Sequence, residues 1–397
     1  MATTKRVLLS LLAVCAVTLI PAAALSAQSV HPAQALSTAS AHHPEVGIGD
    51  DKGDMFSDPR FQALGIGTVR YDMHWDALSV TSERKAVTAW MKAAHAEHLD
   101  VLVTLDHTDK VIYEKVKVNK KKKIHGRTVT VTVTEKKAVS QTRVLPSVTS
   151  YSHAFQAFRR FFPWVKNFAT WDETNFFGEA TYDKESLVAQ YYKALRKDCS
   201  SCKILAAEFL DIDKHNGVPM TTWAKTFVKD LGYQPAYWGL NDYEDANHLV
   251  TTGTRALLKA VSGNIWLAET GGIVNRPAHP HPGFPQDAAH AATVDSFILK
   301  TLGSLSPRIQ RIYLYEWDSK TRHDSWDTAL ISYTGAPREG YVVLAKTLYS
   351  WGIKPNCSLS LVPPTCTGIG GGGNKGPTGA SGTTGPSGAT GATGATG

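Results

Sequence analysis

Short apolar runs alternate with amphipathic stretches through the middle of the chain. The runs are Val46–Asp50, Thr68–Trp75, Asp100–Asp106, Asn167–Glu173, Lys203–Phe209, Tyr237–Tyr243, Asn264–Gly271 and Arg311–Trp317. Several are apolar almost without interruption, the pattern of parallel strands buried on both faces. Between them, Ser82–His98, Ser150–Phe162, Asp183–Lys197, Thr254–Ser262, Asp287–Leu305 and Glu339–Trp351 carry apolar residues at helical spacing, with Ser82 as an expected N-cap. Strand–helix units repeated eight times, with no dinucleotide-type glycine fingerprint, predict an α/β fold closed as a (β/α)8 TIM barrel rather than an open sheet.

The third connection breaks the rhythm. Two alternating runs, Val111–Val118 and Thr128–Thr134, flank the Lys120–Lys123 cluster and Gly126, which predicts a β-hairpin inserted over residues 110–143. Residues 110–143 hold eleven Lys/Arg and two Glu, a balance of +9 against +7 for the whole chain, so the basic character belongs to the insertion. The lysines either protect the hairpin edges from aggregation or meet an anionic wall polymer. Nucleic acid is not an expected partner, because no aromatic residues interleave the lysines and no nucleic-acid-binding module is legible.

Both ends differ in composition from the middle. Lys5 and Arg6 precede an apolar run, Val7–Ile20, and small residues follow to Ala27. This predicts a signal peptide over 1–27 and a flexible linker over 28–43, and the expected location is secreted and extracellular, with cell-surface association as a further option. A retained N-terminal anchor is the alternative. The barrel is expected over 44–355. Cys199 with Cys202, and Cys357 with Cys366, are expected as two local disulfides, the second closing an extension over 356–367. Cys-x-x-Cys could also serve redox or zinc chemistry, but the pair closes a helix and no second Cys-x-x-Cys accompanies it. From Gly376 every third residue is glycine through Gly397, within a glycine-rich tail over 368–397. That repeat fits a collagen-like triple helix or a disordered tail. A longer natural repeat, and trimerisation through it, is the expectation if it is collagen-like, cell-surface attachment being its use.

Two of the apolar runs end on glutamates 96 positions apart, Glu173 in Phe168-Ala169-Thr170-Trp171-Asp172-Glu173-Thr174-Asn175 and Glu269 in Ile265-Trp266-Leu267-Ala268-Glu269-Thr270-Gly271-Gly272. Barrel enzymes carry their catalytic groups at the C-terminal ends of strands. Glycoside hydrolysis needs one carboxylic acid to protonate the leaving oxygen and one carboxylate to attack the anomeric carbon or activate water. Trp171-Asp172-Glu173-Thr174-Asn175 resembles the W-N-E-P-N signature of clan A glycoside hydrolases, notably families 39 and 5. Trp266-Leu267-Ala268-Glu269-Thr270-Gly271 resembles their W-x-x-E-x-G nucleophile strand.

The resemblance spans residues 44–352 and implies a retaining O-glycosyl hydrolase with Glu173 as acid/base, Glu269 as nucleophile, a carbohydrate substrate, no cofactor and no metal. It further implies that Arg70 bonds the nucleophile, that Tyr243 orients it and that Trp317 floors the first sugar subsite. Trp75, Asp106 and His107 end strands and could line the pocket; Asp172, Asn175 and Asn241 lie in the matching motifs. Asp172 stands where the family has an asparagine that donates to the sugar 2-hydroxyl, Asn241 where it often has histidine and Thr174 where it has proline. These departures keep a second class open: a non-catalytic glycan-binding or structural surface protein on a degenerate hydrolase barrel. Phe176 and Phe177 are either a sugar platform or rim cover. His279 and His281 lack a third ligand nearby and read as a Pro-rich loop. No G-x-S-x-G elbow supports Ser-His-Asp catalysis.

Overall fold

The computed structural model describes residues 43–353 apart from 125, 126, 213, 279 and 281. The strands are β1 (Glu45–Gly49), β2 (Thr68–His74), β3 (Asp100–Asp106), β4 (Thr108–Ile124), β5 (Arg127–Val144), β6 (Asn167–Ala169), β7 (Lys203–Leu210), β8 (Tyr237–Asn241), β9 (Asn264–Thr270) and β10 (Ile309–Tyr315). All but β4 and β5 close into one parallel barrel in the order β1-β2-β3-β6-β7-β8-β9-β10, with β10 pairing back to β1. The (β/α)8 expectation therefore holds. The helices are α1 (Pro59–Ala63), α2 (Thr81–Ala96), α3 (Val148–Phe161), α4 (Glu185–Asp198), α5 (Met220–Leu231), α6 (Tyr243–Asn247), α7 (Thr252–Ala260), α8 (Ala288–Phe297) and α9 (Glu339–Ser350).

Alternation along the strands separates two cores. On β2, Val69 and Tyr71 face outward to the helical layer and are buried there with Trp90 of α2. The barrel interior holds Leu102, Ala169, Leu205, Trp266, Ala268 and Tyr313. Below them Arg311 lies over the Trp266 ring at 4.3 Å and pairs with Asp100 at 2.7 Å. Above them, toward the strand C-termini, the interior turns polar around Arg70 and Thr104.

Two strands are irregular where they approach that polar layer. Leu205 pairs with Tyr237 but Glu208 pairs with Gly239, so β7 carries one extra residue. Leu240 pairs with Leu267 but Asn241 pairs with Glu269, so β9 does too. An extra residue reverses which side chains face inward, and such bulges re-aim side chains at barrel rims. Gly239 lets Glu208 pass: a Cβ there would lie 2.4 Å from its Cγ.

Several boundaries differ from expectation. β6 has three residues rather than seven. Beyond it the chain still follows β7, with the Thr170 and Thr174 amides donating to the Leu205 and Glu208 carbonyls, but Glu173 takes φ 35° and leaves the regular ladder. Ser82 lies inside α2, and Val80 occupies its N-cap position without a side-chain bond. Ser147 and Asp287 do cap α3 and α8, each accepting from a backbone amide three residues on. α5 was not anticipated, although Trp223, Phe227 and Leu231 repeat at i, i+4 and i+8 on its buried side.

The inserted hairpin is confirmed as an antiparallel pair, β4 with β5, running from Thr108 opposite Val144 to Ile124 opposite Arg127. Val118 faces Val133, with the half-buried Val116, Val129 and Val131 on the same side; Lys115, Lys117, Lys121 and Lys123 stand exposed on the other. Cys199 and Cys202 form a disulfide just after α4. No helix among the described residues is long and apolar enough to cross a membrane. The expected signal peptide, most of the linker, Gly126, His279, His281, Cys357, Cys366 and the glycine-rich tail lie outside the described residues.

Candidate active site

Arg70 organises the mouth of the barrel. Its buried guanidinium donates to Glu269 Oε2 at 2.7 Å, Glu208 Oε2 at 2.9 Å, Asp172 Oδ1 at 3.0 Å and Thr104 Oγ1 at 3.1 Å. Asp72 Oδ2 lies 3.8 Å away. Burial opposes the guanidinium charge, but Glu208, Glu269, Asp72 and Asp172 more than offset it. One cation thus gathers groups from β2, β3, β7, β9 and the segment after β6.

The two glutamates differ in what supports their charge. Glu269 accepts a second bond, from the Tyr243 hydroxyl at 2.9 Å. Burial lifts its carboxyl to about 7, Arg70 and the Tyr243 bond pull it down, and Asp172 and Asp51 push it up. Glu173 has no donor among the described residues. Burial, then the charges of Asp172, Glu269, Glu179 and Asp106, raise its carboxyl well above the usual range. Glu173 is therefore held neutral where Glu269 begins to ionise. Like charges in a desolvated site separate titrations in this way.

The remaining expected residues fall into three groups. Asp172 and Asn241 meet: Asp172 Oδ1 accepts from Asn241 Nδ2 at 3.2 Å as well as from Arg70. Asp106 and His107 belong to a neighbouring cluster. His107 Nδ1 lies 2.8 Å from Asp106 and 3.0 Å from Glu179, and Arg143 of β5 bonds both Glu179 and the Gly178 carbonyl. Burial opposes the imidazolium, but the bonds to Asp106 and Glu179 outweigh it and push His107 up to about 10. Burial and Asp106 lift Glu179 to about 7 against the pull of His107 and Arg143.

Asp106, His107 and Glu179 also bring one potential metal-ligand atom each within 4.8 Å of one another. With His107 charged and Arg143 on Glu179, the set is an internally balanced ion-pair cluster. Trp75 is half-buried beside it, its amide donating to the Asp106 carbonyl at 2.8 Å.

The third group faces the scaffold. Asn175 is fully buried and spends its amide on backbone, binding Leu210 in both directions and the Val218 carbonyl. Trp317 is only 2% exposed and packs edge-on against Phe61 and Tyr341. The half-buried aromatics near Glu269 are instead Tyr315, whose hydroxyl is raised by burial and by charges including Glu269, and Trp326, whose ring meets Tyr243 edge-on at 4.8 Å. Phe177 is exposed at the rim, against Tyr182.

Sequence reasoning missed Glu208. It is fully buried, accepts from Thr104 at 2.9 Å, and burial lifts it to about 8 against the pull of Arg70. A carboxylate in an otherwise apolar run was the available signal. Trp326, Arg143 and Glu179 offered none.

No protein-family model and no curated protein matches the chain. Solved structures do. The barrel is that of solved glycoside hydrolases. A family 10 endoxylanase from a sugarcane soil metagenome is 10% identical with a TM-score of 0.51, over 77% of this chain and 97% of its own. A mutant of xylanase 10C from Cellvibrio japonicus in complex with xylopentaose is 14% identical with a TM-score of 0.52, over 78% and 68%. A family 39 glycoside hydrolase from Bacteroides cellulosilyticus aligns more loosely, with 12% identity and a TM-score of 0.45 over 77% of this chain, which spans 64% of that protein's length. At such identities the likeness shows the fold, and activity rests on the residues.

Proposed function

We propose that the chain is a retaining O-glycosyl hydrolase acting on a cell-wall or extracellular polysaccharide or oligosaccharide. The observation that carries this is the unequal support of two glutamates at one barrel mouth: Arg70 and Tyr243 both donate to Glu269, and no side chain among the described residues donates to Glu173. Glu269 is the nucleophile and Glu173 the acid/base. In the first step the neutral Glu173 gives its proton to the glycosidic oxygen as the Glu269 carboxylate attacks the anomeric carbon. The C–O bond breaks, the alcohol leaves and a glycosyl ester forms on Glu269.

Esterification removes the Glu269 charge, one of the causes that hold Glu173 neutral. Glu173 is then free to act as base. It takes a proton from water, whose oxygen attacks the anomeric carbon and releases Glu269. Asp172, fixed by Arg70 and Asn241, presents an acceptor beside the nucleophile. The xylopentaose complex of the Cellvibrio japonicus xylanase adds support for a carbohydrate substrate.

The setting proposed for this activity follows from the sequence: export by the signal peptide over 1–27, a second disulfide between Cys357 and Cys366, contact of the Lys120–Lys123 region with an anionic wall polymer, and trimerisation through the collagen-like repeat. The activity is tested with Glu173→Ala and Glu269→Ala on a panel of aryl glycosides and glycans. Glu173→Ala should lose turnover of poor leaving groups and regain turnover of activated ones with azide. A 2-deoxy-2-fluoro glycoside should label Glu269 in the unmutated protein. Full activity in both variants would overturn the assignment.

A further inference from the structure

We propose that Arg276 forms a subsite for the carboxylate of an acidic sugar, which makes the substrate a hexuronate-containing glycan. The proposal deepens the glycosidase function and rests on it. Arg276 lies in the loop that follows β9, the strand that carries Glu269. That loop is fixed at its root: the Val274 and Asn275 amides donate to the Asp327 carbonyl, Asp327 returns a bond to Asn275, and Asp327 is itself held by Arg338 at 2.6 Å. The Arg276 amide donates to Gln286. Its guanidinium carbon sits 4.6 Å from the Trp326 ring centroid, and Trp326 in turn meets Tyr243, the donor to Glu269. A chain of contacts thus runs from the guanidinium through Trp326 and Tyr243 to Glu269.

The guanidinium is half-buried, and among the described residues it has no ion pair or hydrogen bond. Arg70 and Arg143 both pair with carboxylates. Burial works against the Arg276 charge, and among the described residues the charges of Glu244 and Glu173 act in its favour. Glu244 is exposed and lies with His248, and Glu173 is held neutral. A half-buried guanidinium held over an aromatic ring, with no carboxylate on its donor fork among the described residues, is suited to bidentate binding of a carboxylate.

The test uses the full chain carrying Glu173→Gln, which stops turnover. Calorimetry measures binding of galacturonate, mannuronate and glucuronate tetramers, each against its carboxyl-reduced, neutral counterpart. The expected result is a preference of at least about ten-fold for one acidic tetramer, the size of one charge-assisted pair. Adding Arg276→Gln should bring the acidic-to-neutral ratio close to one, and Arg276→Lys should retain part of it. Equal binding of both forms, or a preference that survives Arg276→Gln, overturns the subsite. So does failure of every tetramer while a fluoroglycoside still labels Glu269, which leaves the glycosidase function standing. If nothing binds and Glu269 is never labelled, both fall.

Discussion

Replacing Tyr243 with phenylalanine removes one hydroxyl and little else. The ring is 5% exposed and keeps its edge-on packing against Trp326, so the fold should be retained at a cost of about 1–3 kcal/mol for the polar groups left short of a partner. What is lost is the 2.9 Å bond to Glu269 Oε1. A hydrogen bond to a charged group is worth about 1.5–3 kcal/mol, and one to a neutral carbonyl about 0.5–1.5 kcal/mol. The tyrosine therefore favours ionised over protonated Glu269 by about 1–1.5 kcal/mol, which corresponds to about one pH unit. The Glu269 midpoint, about 7 in the native protein, should move upward by that amount. The assay is the rate of carbodiimide modification of Glu269 against pH, read by peptide mass spectrometry, since only the protonated carboxyl reacts. The acid limb of kcat/KM should move with it. An unchanged midpoint, or a downward one, would refute the claim that the Tyr243 hydroxyl supports the ionised form of Glu269.

Buried carboxyls raised to about 8 at Glu208 and Glu316 and about 7 at Glu269 bind more protons folded than unfolded above their usual value of 4.5. Stability should therefore be fully present below about pH 4.5 as far as these groups decide it and decline as pH rises to about 8; a Tm that climbs between about pH 5 and about pH 8 would contradict this. Cys199→Ser with Cys202→Ser opens a loop of four residues, for which chain entropy gives a loss of about 2 kcal/mol, read as a lower urea midpoint with an unchanged m-value. Arg143→Ala leaves Glu179 and the Gly178 carbonyl short of a donor, at a cost of about 1–3 kcal/mol. Amide exchange should quicken over residues 173–179, and protection unchanged there would show that the hairpin root does not brace the Glu173 loop.

Sequence alone determined the class of fold, because parallel buried strands and amphipathic helices leave separate periodicities that survive without any tertiary contact. It also put Glu173 and Glu269 on the C-terminal side of two barrel strands and, through the resemblance, Arg70 and Tyr243 beside Glu269, where both bond it; β6 nevertheless stops at Ala169, short of Glu173. Tertiary structure decided the rest. Bulges in β7 and β9 reverse the inward parity, so simple alternation from Leu205 would not have put Glu208 inside. Trp317 and Asn175 belong to motifs that resemble sugar-binding ones, yet packing against Phe61 and Tyr341, and bonding to Leu210 and Val218, commit them to the scaffold. Arg276, Trp326 and Tyr243 are separated by dozens of residues and come together because the segments after the neighbouring strands β9, β10 and β8 lie side by side at one end of the barrel. Periodicity is a local property of the chain, whereas which charge is left without a partner depends on every loop that returns to the same mouth.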